Sequence, residues 1–102
     1  MIGHFADAVL KDLRVDKVIM GMRGIHPEHG LTCDHPQELM TDRRIMEISD
    51  TVIIVADHTK IGHVATSKTA SITRAKIIVT NKQAPRNYIQ QIREQGVNVI
   101  QV

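Results

Sequence analysis

Three of the six histidines, three of the six glycines and the single cysteine fall within fifteen residues, Gly21–His35. His26, His29, Cys33 and His35 all carry side chains that can bind a metal ion, and Zn²⁺ accepts such mixtures. Their spacing fits no standard finger or ribbon, and there is no second cysteine pair. Glu28 lies between His26 and His29, but the helical H-E-x-x-H pattern of a metalloprotease is absent. Cys33 is the only thiol, and nothing in the spacing makes His29 or His35 a base for it. A polar loop beside a ligand cleft accounts for these residues better than a metal centre or a nucleophile.

A second chemistry is anion binding. Gly21-x-x-Gly24 follows an apolar run. Two glycines let a backbone turn sharply and bring its N–H groups close to an anion, although an ordinary strand-to-loop turn needs the same residues. Thr32 could add a hydroxyl near the start of the next helix, or simply cap it. Farther on, Asp57-x-x-Lys60 offers an ammonium for a phosphate. Asp57 could accept hydrogen bonds from sugar hydroxyls or hold Lys60 in place. The plainer alternative is a surface turn with a weak ion pair.

These residues must be positioned by regular elements. Ala6, Val9, Leu10 and Leu13 share one helical face, which predicts a helix over 3–13. Residues 16–20 read as a strand that stops at Gly21. Asp34 can N-cap a helix running to about Ile48, with Gln37 completing a capping box. Leu39, Met40, Ile45, Met46 and Ile48 would form its buried side, with Arg43, Arg44 and Glu47 in solvent. Residues 51–56 are β-branched and do not alternate, which predicts a central strand covered on both faces. Residues 63–74 are ambiguous, with a short strand near Ala65–Thr69. Residues 76–80 form another buried-type strand, Pro85 opens a helix, Gly96 fits its C′ position and 97–102 close the chain as a strand.

Strands alternating with helices predict right-handed crossovers and a mainly parallel sheet, hence a three-layer α/β fold over one domain, residues 1–102. In open sheets of this kind ligands bind outside the carboxyl ends of the strands. Gly21–His35, Asp57–Lys60 and Asn81-Lys82 all follow strands and are polar, whereas the segments before the strands read as plain turns. This contrast is the main physical argument for a site.

Composition narrows the function. The net charge is +2, no Lys/Arg block exists, and Phe5 and Tyr88 are the only aromatics, so there is no footprint for reading nucleic acid directly. No apolar run approaches the roughly 20 residues that cross a bilayer. A single cysteine suits a reducing cytoplasm.

At this point a resemblance becomes specific. Gly24-Ile25-x-x-Glu28-x-Gly30-Leu31-Thr32, Glu38 and Arg44 in the following helix, then Val55-Ala56-Asp57-His58-Thr59-Lys60, Ile78-Val79-Thr80-Asn81 and Gly96-Val97-Asn98-Val99-Ile100 resemble the sensor domain of DeoR-family transcriptional regulators. The similarity covers almost the whole chain and keeps the motif order. It implies a fold similar to ribose-5-phosphate isomerase and CoA transferases. It implies a bacterial carbohydrate-responsive transcriptional regulator, such as a repressor, whose sensor binds a phosphorylated sugar and oligomerises, while DNA is bound by a separate winged helix-turn-helix domain. Carried onto this chain, Gly24, Thr32, Asp57 and Lys60 would line the effector site, with Lys60 on the phosphate; no cofactor is implied.

Three departures bear on these expectations. Neither a winged helix nor the glycine-rich threonine loop of the sensor's first half precedes these residues, which reads as a C-terminal fragment with an exposed sheet edge or apolar face. Arg23 stands where many members carry an acidic residue or Asn, and could add an anion contact. Asn81 replaces a common Asp. The alternative is a sugar-phosphate isomerase or deaminase-like enzyme, for which Glu28, Asp57 and His58 are the only acid–base candidates.

Overall fold

The computed structural model describes residues 13–102, so the helix expected over 3–13 lies, except for Leu13, outside the described residues. Four strands, β1 (Val15–Met20), β4 (Ser49–Val55), β6 (Ile77–Thr80) and β7 (Asn98–Gln101), form a parallel sheet in the order β1-β4-β6-β7. Three shorter strands, β2 (Gly24–His26), β3 (Gly30–Cys33) and β5 (Ser67–Ala70), form a separate antiparallel sheet in the order β2-β3-β5. Helix α1 spans Pro36–Glu47 and α2 spans Arg86–Glu94. The parallel α/β architecture is as expected. The second sheet is not: the short strand foreseen near 65–69 belongs to it.

The stretch Gly21–His35 is therefore not an open loop. Most of it is a hairpin, in which Ile25, Leu31, Thr32 and Cys33 are buried. His26 Nδ1 accepts the backbone N–H of Glu28 at 3.0 Å and of His29 at 3.2 Å, closing the turn. Gly30 completes it at φ 77°, a left-handed conformation that glycine adopts without a Cβ penalty. The turn leans on α2, where the His26 and Tyr88 rings lie 5.2 Å apart and Gln95 Nε2 donates to the Pro27 carbonyl at 2.7 Å.

Three local expectations are corrected. Asp34 does not cap α1: His35 is the N-cap, with no side-chain cap bond, because the Asp34 carboxylate is taken by Arg23 Nε at 3.0 Å. Arg43 is not simply solvated: it donates to the carbonyls of Thr69 at 2.9 Å and Lys68 at 2.8 Å, tying α1 to β5. Met40, assigned to the buried side, is exposed, while Thr41 and Met46 are buried.

The core lies on one face of the parallel sheet. Val52 and Ile54 of β4, Ile78 of β6 and Val99 of β7 share that face and pack with Met46, Ile89 and Ile92 of the helices and Ile25 and Leu31 of the hairpin. A strand order that never reverses, joined by right-handed crossovers, places every connection on the same side. The opposite face is correspondingly open among the described residues. Ile19 is 70% exposed, Val55 46% and Ile100 43%, with Ile53, Ile77 and Val79 half-buried between them. The expectation that β4 is covered on both faces fails for this reason: its apolar run fits a doubly packed strand, but the described elements supply only one cover.

Candidate functional site

The parallel strands all end on one edge, and the polar residues foreseen there are in place. After β4 the chain enters a single 3₁₀ turn, His58–Lys60. Asp57 caps it: Oδ1 accepts the backbone N–H of Thr59 at 2.9 Å and also its hydroxyl. These bonds hold the Asp57 carboxyl below the usual carboxylate range, the Thr59 hydroxyl contributing most. Lys60 Nζ reaches the Thr59 hydroxyl at 3.3 Å and forms no ion pair among the described residues, so its charge remains available.

The end of β6 grips this turn. Asn81 Oδ1 accepts the backbone N–H of His58 at 2.6 Å, and Asn81 Nδ2 faces His58 Nδ1 at 2.9 Å and Gln83 Oε1 at 2.6 Å. The end of β7 joins in, because Gln101 Nε2 donates to the Asn81 carbonyl at 3.3 Å. Three strand ends are thus tied into one polar platform. Gln83 and Gln101 were not foreseen in the sequence, since an isolated glutamine has no pattern; Asn81 was visible only through its place after a strand.

Gly24 and Thr32 come together, but not on an open surface. They pair across the hairpin, and both are buried. Thr32 Oγ1 accepts the backbone N–H of Ala65 at 2.8 Å. A Cβ at position 24 would collide with the Thr32 hydroxyl and the His63 carbonyl. The segment after Lys60 crosses the hairpin here, with Gly62 N–H donating to the Ile25 carbonyl at 2.7 Å. They seat the strap that continues from the Asp57–Lys60 turn. Tight packing calls for glycine at position 24, whereas a Cβ on Gly21 would meet only the Val55 carbonyl, at an ordinary 3.8 Å.

Arg23 lies at the end of β1, beside a hollow of about 460 Å³ lined by Met22, Cys33, Glu38, Thr41 and Asp42 among others. Its guanidinium is paired with Asp34, whose carboxyl it holds below the usual range. Burial, and then Glu38, pushes the Asp42 carboxyl upward. Arg23 joins neither Asp57 nor Lys60 through any hydrogen bond. Among the described residues no three His, Cys, Asp or Glu side chains gather where they could share an ion. His26 is occupied by the hairpin turn instead.

Residues 1–82 match the family model of the DeoR C-terminal sensor domain. This chain belongs to that family. Its relatives are named as transcriptional repressors or regulators. It is 28% identical over 91 residues to the HTH-type transcriptional repressor GlcR of Bacillus subtilis, a match covering 89% of this chain and 35% of that protein. It is 34% identical over 93 residues to the transcriptional repressor AccR of Agrobacterium fabrum, covering 90% of this chain and 36% of that protein. It is 27% identical over 99 residues to the glycerol-3-phosphate regulon repressor of Escherichia coli, covering 97% of this chain and 39% of that protein. The chain thus spans a little over a third of the length of the relatives it matches. No helix among the described residues is long and apolar enough to cross a membrane.

Proposed function

We propose that this DeoR sensor chain is the effector-sensing and oligomerisation module of a cytoplasmic regulator of carbohydrate metabolism. It binds a phosphorylated sugar and passes the signal to a winged helix-turn-helix domain. The observation that carries this reading is the platform at the carboxyl edge of the parallel sheet, where Lys60 keeps an uncommitted ammonium on a turn pinned by Asp57 and Asn81. A pinned turn presents a cation at little entropic cost, and an ammonium is a good partner for phosphate. The name of one relative, a glycerol-3-phosphate regulon repressor, agrees with a phosphorylated ligand.

In this reading Asp57 orients the turn, Lys60 takes the phosphate, Gly24 and Thr32 hold the strap, and Arg23 is a second cation released when Asp34 lets go. The enzyme alternative finds less support. A general base works best with a pKa near the operating pH, whereas the Asp57 carboxyl is driven down and one oxygen is already doubly engaged. Thermal shift with ribose 5-phosphate, glycerol 3-phosphate and glucosamine 6-phosphate tests the site. A rise that Lys60→Ala abolishes is expected; an unchanged response in that variant would remove Lys60 from the site. Turnover of any of these compounds would sink the regulatory reading.

A further inference from the structure

The contacts of Asn81 decide where the proton sits on His58. The backbone N–H of His58 can only donate, so the Asn81 atom 2.6 Å from it is the amide oxygen. The amide nitrogen is then the atom that faces His58 Nδ1 at 2.9 Å, and its contact with Gln83 Oε1 at 2.6 Å, donor to acceptor, agrees. An NH₂ group has no lone pair to offer, so Nδ1 must be the acceptor. The ring proton therefore lies on Nε2. Nε2 has no acceptor among the described residues, although His58 is only half-buried and sits at the sheet edge where open α/β folds bind ligands.

We infer that His58 is a specificity residue of this edge: Asn81 fixes it as an Nε2–H donor that reads an acceptor oxygen of the ligand, a hydroxyl or phosphate oxygen. The inference rests on the effector-site reading above and adds a second contact to Lys60. It distinguishes this device from a histidine that merely fills space, because the polarity of the ring is set by a neighbour. Asn81 acts through His58 and is a positioning residue.

Asparagine-to-aspartate exchange separates the parts. In Asn81→Asp one carboxylate oxygen can still accept the His58 backbone N–H, so the turn stays pinned. The other oxygen now faces Nδ1 and calls for a proton there, so Nε2 turns from donor to acceptor in the neutral ring. Long-range ¹H–¹⁵N correlation on the histidine-labelled 102-residue chain reads this directly. The wild type should show pyrrole-type Nε2 and pyridine-type Nδ1 at His58, and Asn81→Asp should reverse them. Calorimetric titration with ribose 5-phosphate and glycerol 3-phosphate then measures the consequence. His58→Ala and Asn81→Asp should each weaken binding by roughly tenfold, the scale of one lost hydrogen bond, with the thermal midpoint of His58→Ala retained. A proton on Nδ1 in the wild type, or full affinity in both variants, overturns the inference. If Lys60→Ala binds normally while the other two do not, the His58 donor stands and the Lys60 anchor falls. If only Lys60→Ala is weakened, the reverse holds. A chain that binds neither probe overturns both.

Discussion

Gly24 lies directly opposite Thr32 in the β2–β3 hairpin, and a Cβ on Gly24 would press into the Thr32 hydroxyl. The same hydroxyl accepts the Ala65 N–H at 2.8 Å. One close approach thus seats the strap that leads away from Lys60. Gly24→Ala must push back backbone atoms of His63 and Ala65, which cannot swing aside as a flexible side chain can. The expected cost is about 1–3 kcal/mol, the usual range for overpacking. Thr32→Val keeps the shape but leaves the Ala65 N–H without its acceptor, at about 1–3 kcal/mol. Urea unfolding measures both. The two losses should fall short of adding in the double variant, because they act on one contact.

The hairpin turn gives a second prediction, one that sets the histidines apart from a metal centre. His26 Nδ1 serves two backbone N–H groups at 3.0 and 3.2 Å. His26→Ala should lower stability by about 1 kcal/mol, since water can replace part of what is lost at an exposed turn. Treatment with EDTA should leave the thermal midpoint unchanged. A chelator-induced drop that His29→Ala reproduces would restore the metal reading.

Three carboxyls predict opposite pH responses. Asp34 and Asp57 are held below their ordinary value, by Arg23 and by Thr59 respectively. Their contribution is present above the ordinary carboxylate range and is lost as pH falls through their lowered values in the folded chain. Asp42 runs the other way, because burial beside Glu38 raises it. The unfolded chain releases that proton first, so stability falls as pH rises from the ordinary carboxylate value through the raised one. Asp42→Asn should remove this falling limb and leave the chain slightly more stable at neutral pH, by no more than about 1 kcal/mol because the group is partly open to screening water. Asp57→Asn should instead shrink the loss of stability in acid. Thermal melts across the acid range, with wild type and both variants side by side, test the signs.

What the sequence made legible follows from which interactions are local. The strands at 16–20, 51–56 and 76–80, the second helix and the left-handed Gly96, at φ 90°, follow from β-branched runs and from proline and glycine punctuation, which act over a few residues. The edge bearing Asp57, Lys60 and Asn81 followed from topology. The hairpin did not, although Ile25 and Leu31-Thr32-Cys33 flank Pro27–Gly30 as strands flank a turn; the density of glycine and histidine drew attention to chemistry instead. Asp34 misled because capping is a local rule, while its actual partner, Arg23, is brought by the hairpin. The roles of Gly24 and Thr32 depend on a strap more than 30 residues away, as the separation of 33 between Thr32 and Ala65 shows, and no short window contains that information.

The uncovered sheet face supports a last prediction, on assembly. Ile19, Val55 and Ile100 lie on the face opposite the core, at 70%, 46% and 43% exposure, with Ile53, Ile77 and Val79 between them. Contiguous exposed apolar surface of this kind favours association. It adjoins β1, which among the described residues is an edge strand of the sheet, and an open edge adds a route to pairing. The chain should therefore self-associate in a concentration-dependent way in sedimentation velocity. Ile19→Lys with Ile100→Lys places two like charges on that face and leaves the buried contacts of Val52, Ile54, Ile78 and Val99 untouched. The double variant should sediment as a monomer with an unchanged circular dichroism spectrum. Its thermal midpoint should no longer rise with protein concentration, as mass action requires when association with a second copy is lost. Persistent association in the double variant would place the oligomer contact elsewhere than on this face.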